Sequence, residues 1–475
     1  MPSTKIVATL GPATDTPEMI HKLLEAGVDI FRLNASHGQK EEHIRRIHMI
    51  RHIAKERGIH AGILLDLQGP KIRLGEFENG GCILQNGQTF TITTETVMGN
   101  DKLASTSYTE FARDVKPGNN VLIADGSVKL RVLSTDGVAA RCEVVIGGPV
   151  SNRKGINLPG VAVSTPSLTK KDKADLQFGI EENVDFIALS FVRKPSDVIR
   201  LKLYLDERES KIQVISKIEK PEAVENLNAI LAESDGVMVA RGDLGVELAI
   251  EKVPAIQKTI IQRARSMGKF VITATQMLES MIENAYPTRA EVSDIANAIY
   301  DGTDAVMLSG ETSTGKHAVE AASVMDRIAA ETELNLRYRG YQELPPMDNP
   351  SHAEIIADSA YRAGRYLGVA AIAVFTASGS TARLISRFRP PVPIYAFTPF
   401  EESARQLSMI YGVIPIVVPT ATSTDEMLLQ MDQELQRRGY LKPNDQVVFV
   451  SGQPIGVVGS TNMLKLHRAV ELPRP

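Results

Sequence analysis

The chain has 475 residues, 43% of them hydrophobic and 23% charged, an ordinary globular composition with length enough for two or three domains. Lysine and arginine total 53 against 57 aspartate and glutamate, a formal charge of -4, so no basic excess marks a nucleic-acid partner. Cys82 and Cys142 lack the spacing of a metal knuckle or a secreted disulfide framework, and no apolar run approaches bilayer-spanning length, so a cytoplasmic chain without a membrane partner is expected.

In chain order, apolar runs that end in Gly or polar residues recur up to residue 311, most of them followed by helical periodicity. They are KIVATLG from Lys5, DIFRLNASHG from Asp29, GILLDLQGPKIR from Gly62, FIALSFVR from Phe186, IQVISKIE from Ile212, GVMVARGD from Gly236, FVITATQM from Phe270 and AVMLSGE from Ala305. Eight such βα units are the number that closes a parallel (β/α)8 barrel. Each run begins apolar and ends polar, as expected when the middle of a strand fills a core and its carboxyl end faces a site.

Between the third and fourth runs the pattern breaks into short β-rich stretches punctuated by Asn86-Gly87, Asp125-Gly126, Asp136-Gly137 and Gly147-Gly148, all read as hairpin signals. An insertion leaving the third strand sits over the carboxyl face of a barrel, where a lid excludes water from chemistry. The polar stretch GYQELPPMDNPS from Gly340 reads as a linker. Beyond it AIAVFTASGST, PIYAFTPF, GVIPIVVP and DQVVFVSGQ alternate with helices and predict a small doubly wound sheet. The expected architecture is an α/β TIM barrel over residues 1–69 and 163–339, a β-barrel lid over 70–162, and an α/β sheet domain over 345–475.

Charged groups gather at successive strand ends: Lys217 and Glu219 in ISKIE, Arg241 and Asp243 in MVARGDLG. Glu219 and Asp243 offer hard oxygen ligands to one Mg²⁺ or Mn²⁺ and leave positions for water and substrate oxygens. Lys217 adds positive charge suited to a phosphoryl group in flight. The competing reading of each charge alone is a buried salt-bridge network.

In RLNASHG, Arg32, Asn34 and Ser36 fall at alternate positions and are expected to point the same way. Arg32 has the planar fork that binds phosphate, while Asn34 and Ser36 can coordinate a cation or orient substrate. His37, beside Gly38, reads as a structural residue more readily than as an acid or base. GDLG from Gly242 opens a short helix whose amides can hold a carboxylate, and Thr275 ends the seventh strand with a hydroxyl at the same height. GETSTGKH at 310–317 imitates a P-loop, but His317 stands where a Ser or Thr would bind Mg²⁺, so it reads as a βα turn.

Taken together, KIVATLGPAT, RLNASHG, DLQGPKIR, KGINLPG, SKIE, ARGDLGVE, TATQMLESM, PTRAEVSD and DGTDAVMLSGET closely resemble the pyruvate kinase family over nearly the whole chain. The resemblance implies phosphoryl transfer from phosphoenolpyruvate to ADP, giving ATP and pyruvate. It also implies a homotetramer and a second Mg²⁺ travelling with ADP. Carried onto matching positions, Glu219 and Asp243 bind the metal, Lys217 stabilises the moving phosphoryl group, Arg32 holds its oxygens, and the amides of Gly242 and Asp243 with Thr275 hold the substrate carboxylate. Arg73 and Lys154 reach the nucleotide phosphates.

The family's monovalent-cation site maps onto Asn34, Ser36, Asp66 and the backbone of Leu67. Lys71 stands where potassium-requiring members carry Glu, so its ammonium is expected to supply the missing charge and remove the need for K⁺. In the last domain TASGST, with Thr376, Ser378, Gly379, Ser380 and Thr381, matches the family's effector loop. The facing SGQPIGVVGSTN carries no Arg or Lys, which favours a monophosphorylated sugar or AMP over a bisphosphate. Two other readings stay open on sequence: another metal-dependent phosphoenolpyruvate or pyruvate barrel enzyme, which needs neither Arg73, Lys154 nor a lid, and a non-catalytic sugar-phosphate sensor, which has no need of Lys217, Glu219 and Asp243.

Overall fold

The computed structural model describes residues 2–161, 163–345, 347, 349–457 and 459–470. Pro346 and Asp348 of the expected linker, Val458 of the loop facing TASGST, Ala162 at the end of the insert and residues 471–475 lie outside the described residues.

All eight expected runs form strands, here β1 (Lys5–Thr9), β2 (Ile30–Asn34), β3 (Gly62–Asp66), β4 (Phe186–Leu189), β5 (Gln213–Ile218), β6 (Gly236–Ala240), β7 (Phe270–Ala274) and β8 (Ala305–Leu308). They pair in parallel in sequence order and close through β1 and β8, with Lys5 opposite Ala305 and Ala8 opposite Leu308. Six of the eight are buried at every residue, because one face fills the barrel and the other meets the surrounding helices. Inside, Phe186 and Phe270 meet edge to face at 5.8 Å beside Ile30, Leu64, Ile215 and Met238.

The insert folds as a six-stranded and a two-stranded sheet that share one core, including Leu84, Phe90, Leu130 and Val150. Two of the four turn signals behave as hairpins: Asp125-Gly126 joins Asn120–Ile123 to Val128–Thr135, and Asp136-Gly137 joins the latter to Ala139–Ile146. The other two do not. Strand Gly81–Leu84 pairs with Gly148–Ser151, so Asn86-Gly87 and Gly147-Gly148 each carry the chain from one sheet to the other. A Cβ on Gly147 would lie 2.3 Å from the Leu84 carbonyl oxygen, so that glycine answers a close backbone approach rather than a turn.

The C-terminal sheet holds β9 (Ala371–Phe375), β10 (Ile394–Thr398), β11 (Val413–Val417), β12 (Gln446–Gly452) and β13 (Thr461–Arg468), in the order β11-β10-β9-β12-β13. The first four match the expected runs, and β13 is an antiparallel edge strand that the sequence reading did not include. This domain seats on the amino-terminal ends of the barrel strands. Arg405 meets Asp185 at 2.8 Å, Arg389 meets Asp304 at 3.1 Å, and Lys5 donates to the Val413 carbonyl at 3.0 Å. The opposite, carboxyl-end rim is left for the insert. No described helix is long and apolar enough to cross a membrane.

Candidate functional site

Strand ends bring Arg32, Asp66, Lys217 and Glu219 into one buried set at that rim. Nε and Nη2 of Arg32 both reach Oδ2 of Asp66, at 2.8 and 2.7 Å, and Nη1 donates to Thr9 Oγ1 at 3.0 Å. Lys217 Nζ lies 3.6 Å from Asp66 Oδ1 and 3.3 Å from Glu219 Oε2, and donates to Ser190 Oγ at 2.9 Å. Ser190 in turn donates to the Leu67 carbonyl at 2.7 Å. Burial pushes the Asp66 carboxyl up, but Lys217 and Arg32 beside it outweigh that and hold it below its ordinary value. For Lys217 burial works against the ammonium, while Asp66, Glu219 and Asp243 together raise its pKa. The set is therefore a dry ion cluster with a fixed cation at its centre.

Glu219 is the member that the protein leaves incompletely matched. Its Oε1 accepts the Phe191 amide at 2.6 Å, whereas Oε2 is buried and accepts no hydrogen bond. Burial, with the Asp243 charge adding to it, holds this carboxyl above the ordinary glutamate value despite Lys217. An orphaned anionic oxygen facing a second, exposed carboxylate fits a divalent cation that keeps positions for outside oxygens. Among the described residues no group of three or more His, Cys, Asp or Glu is placed to hold a metal ion. Phe191 has φ 58°, a left-handed backbone that a bulky residue seldom adopts, and this turns its amide towards Glu219.

The opposite side of the rim is built on helix Arg241–Glu247 and the turn after β7. Thr275 and Gln276 take φ 68° and 54°, two successive left-handed residues, the first β-branched. Arg241 holds them there, donating to the carbonyls of Ala274 at 3.2 Å, Thr275 at 2.7 Å and Gln276 at 3.3 Å while its Nη1 meets Asp294 at 2.5 Å. Thr275 Oγ1 thereby accepts the Gly242 amide at 2.8 Å and donates to the Ala274 carbonyl at 2.6 Å. Gly242 and Thr275 are brought together as the sequence implied, but bonded to each other.

Strand β2 stops at Asn34, whose side-chain oxygen accepts the Ser36 amide at 3.1 Å, yet the alternation expected of Arg32, Asn34 and Ser36 runs on past it: these three are half-buried while Phe31, Leu33 and Ala35 are buried, and the Ala35 amide still bonds the Asp66 carbonyl at 2.9 Å. Lys71 is exposed and makes no ion pair among the described residues. His37 is held below the usual imidazole value, first by burial and then by the nearby charges of Lys71, Arg73 and Arg32. Arg73 and Lys154 lie side by side at the root of the insert, where Arg73 bridges Gly155 and the Leu74 amide donates to the Lys154 carbonyl at 2.8 Å.

The TASGST loop joins β9 to helix Ser380–Ser386. Thr376 Oγ1 accepts the Gly379 amide at 3.0 Å, Ser378 donates to Ser380 Oγ at 3.2 Å, and Thr381 shares a hydrogen bond of 2.6 Å with Thr461 on β13. Thr376, Ser378, Ser380, Thr381 and Thr461, with Gly456, Gly459 and Ser460 of the facing loop, line a cavity of about 20 Å³, room for one water.

The sequence reading missed Ser190, Phe191 and the anchoring role of Arg241. Ser190 was visible as the first polar residue of the fourth run, FIALSFVR, directly after its apolar stretch. Phe191 and Arg241 act through backbone geometry that no local pattern reveals.

Comparison with known proteins agrees with this architecture. A family model described as "Pyruvate kinase, barrel domain" matches residues 1–322, and one described as "Pyruvate kinase, alpha/beta domain" matches residues 354–467. A pyruvate kinase of Mycobacterium intracellulare is 47% identical over 469 residues, covering 98% of each chain. One from Sporosarcina psychrophila is 45% identical over 471 residues, 98% of this chain and 80% of its own. The crystal structure of a pyruvate kinase from Cryptosporidium parvum superposes with a TM-score of 0.92 at 38% identity, covering 98% of this chain and 96% of that one. With two pyruvate kinase family models matching residues 1–322 and 354–467 and 98% of its length aligned to such relatives, this chain belongs to the pyruvate kinase family.

Proposed function

We propose that the buried ion cluster at the rim is the phosphoryl-transfer site, moving the phosphoryl group of phosphoenolpyruvate to ADP as glycolytic pyruvate kinases do. The P–O bond to the enol oxygen breaks, a bond to a β-phosphate oxygen of ADP forms, and the released enolpyruvate takes a proton at its methylene carbon. The observation that carries this reading is a buried ammonium flanked by carboxylates, one with an unmatched oxygen. Lys217 and Arg32 neutralise charge on the phosphoryl oxygens, already oriented by Asp66 and Ser190, so little reorganisation accompanies transfer. Glu219 and Asp243 hold Mg²⁺ or Mn²⁺, which supplies further charge neutralisation. Gly242, Asp243 and Thr275 take the substrate carboxylate, and Thr275, fixed by Arg241, lies beside the path of the proton. Arg73 and Lys154, whose side chains make no ion pair among the described residues, reach the nucleotide phosphates, with a second Mg²⁺ accompanying ADP. A coupled assay tests the reading: pyruvate must appear from phosphoenolpyruvate only when ADP and Mg²⁺ are both present, and its absence overturns the assignment.

Among the monovalent-cation positions, the Asn34 side-chain oxygen accepts the Ser36 amide, the Asp66 carboxylate accepts from Arg32, and the Leu67 carbonyl accepts from Ser190. This supports Lys71 as a resident substitute for K⁺ on the same rim. Adding K⁺ to an assay free of Na⁺ and K⁺ should change the rate by less than about two-fold, and a large gain refutes the substitution.

Hydroxyls and amides around Thr376, Ser378, Gly379, Ser380 and Thr381 suit one phosphate of an allosteric effector, a sugar monophosphate or AMP, once the facing loop of Gly456, Gly459 and Ser460 opens the one-water cavity between them. Titration calorimetry should show ribose 5-phosphate or AMP binding more tightly than fructose 1,6-bisphosphate; the reverse order would sink this preference. Two free cysteines support a reducing cytoplasm, and the open edge of β13, with Leu466 exposed, supports self-association towards a homotetramer.

A further inference from the structure

We propose that Glu247, bonded at once by Asn157 of the insert and Lys220 of the barrel rim, is a positioning residue that fixes how far the insert reaches towards the metal-binding carboxylates. The proposal rests on the roles given above to Lys154 and Glu219 and adds a connection between them.

One oxygen carries the junction. Oε1 of Glu247 accepts Lys220 Nζ at 2.6 Å and Asn157 Nδ2 at 3.1 Å. A carboxylate only accepts hydrogen bonds, so Asn157 must present its amino group, which fixes the orientation of that side chain. The ion pair is buried, with side chains of Glu247 and Lys220 only 1% and 11% exposed. Desolvating two charges costs several kcal/mol per ion and apolar residues of equal size commonly do as well for stability. What the pair contributes is therefore geometry.

Each partner leads directly to a functional segment. Lys220 follows Glu219, and its ammonium lies 5.2 Å from the centre of the Phe191 ring, whose backbone amide holds Glu219. Glu247 closes the single short helix that begins Arg241-Gly242-Asp243. Asn157 lies three residues beyond Lys154, and its strand, Ile156–Asn157, pairs with Asn120–Ile123, so a displacement of Asn157 moves the sheet of the insert. Between root and rim a cavity of about 20 Å³, lined by Ile72, Ile156, Leu158, Phe191, Lys220 and Glu247, leaves space for small adjustment. The returning limb is tied separately, by Arg193 donating to the carbonyls of Val163 and Thr165. The junction at Glu247 is thus the tie on the nucleotide side.

The expected result is a nucleotide-specific defect. Asn157→Ala should weaken Mg-ADP binding, measured by calorimetry without turnover, by about ten-fold, and raise KM for ADP by a similar factor. The KM for phosphoenolpyruvate and kcat at saturating ADP should stay within about two-fold, since Asn157 touches neither. Asn157→Asp, which sets two carboxylates against each other, should be worse, and adding Glu247→Gln to it should restore ADP binding by reversing the polarity of the contact. The junction is overturned if wild-type and Asn157→Ala proteins bind Mg-ADP equally, if both substrates are affected alike, or if the double variant binds no better than Asn157→Asp alone. Failure of the reaction itself shows differently, as a wild-type protein that makes no pyruvate whatever its ADP affinity.

Discussion

Lys217→Met should abolish turnover while leaving the fold intact. The side chains are close in length, so the substitution removes the ammonium and little else. A preorganised charge of this kind is worth about 10³-fold or more in kcat, because in a water-excluded site nothing replaces it. The ion cluster survives without it: Asp66 keeps two contacts from Arg32, at 2.8 and 2.7 Å, and Ser190 keeps the Leu67 carbonyl. Steady-state rates with thermal unfolding of the same samples check both halves of the prediction. A variant with undiminished kcat would show that Lys217 does not meet the phosphoryl group.

Glu219→Gln should have an equally large effect by another route. Changing an anionic ligand to a neutral one should weaken divalent-metal binding at least as much as losing an outer partner does, about 10- to 100-fold, so activity at low Mg²⁺ collapses and returns in part when Mg²⁺ is raised. In metal-free protein the same change should leave the melting temperature unchanged or raise it. Burial and Asp243 already push the Glu219 carboxyl above its ordinary value, and its Oε2 accepts no hydrogen bond, so ionised Glu219 destabilises the fold when no cation is bound. The Phe191 amide, 2.6 Å from Oε1, can still find a carbonyl oxygen in the amide. Melting in a chelator and direct Mn²⁺ titration separate the two effects. A clear drop in metal-free stability would mean that Glu219 serves the fold rather than a cation.

The barrel was legible because each of its strands combines an apolar middle with a polar carboxyl end, and both properties are local. For the same reason Arg32, Lys217 and Glu219 could be placed at the rim from sequence, and the structure does gather them. The insert was read less well. A Gly-containing dipeptide reports that the backbone bends or is closely approached, but not which strand pairs with which, and half of the expected hairpins proved to be crossings between sheets. Strand β13 escaped notice because, as an edge strand with mixed exposure along TNMLKLHR, it carries neither a continuous apolar run nor a clean alternation. The alternation of Arg32, Asn34 and Ser36 was legible from spacing alone, since exposure alternates through Ser36 even though Asn34 ends the strand with its own side chain. The contributions of Arg241 and Phe191 were invisible in principle, since they depend on left-handed backbone at Thr275, Gln276 and Phe191 itself.

The seating of the C-terminal domain has a mechanical consequence. Asp185, gripped by Arg405 and Arg51, immediately precedes β4, and Ser190, which bonds Lys217, immediately follows it. Asp304, gripped by Arg389, stands at the foot of β8, and Ser309 at its head. A span of five residues in a strand is only about 17 Å and scarcely stretches. The barrel is then a bundle of stiff struts loaded at one end by the C-terminal domain and tipped at the other by the atoms that steady the central lysine. A rotation of that domain too small to alter any contact within it would still arrive at the rim as a change in where a single serine hydroxyl points.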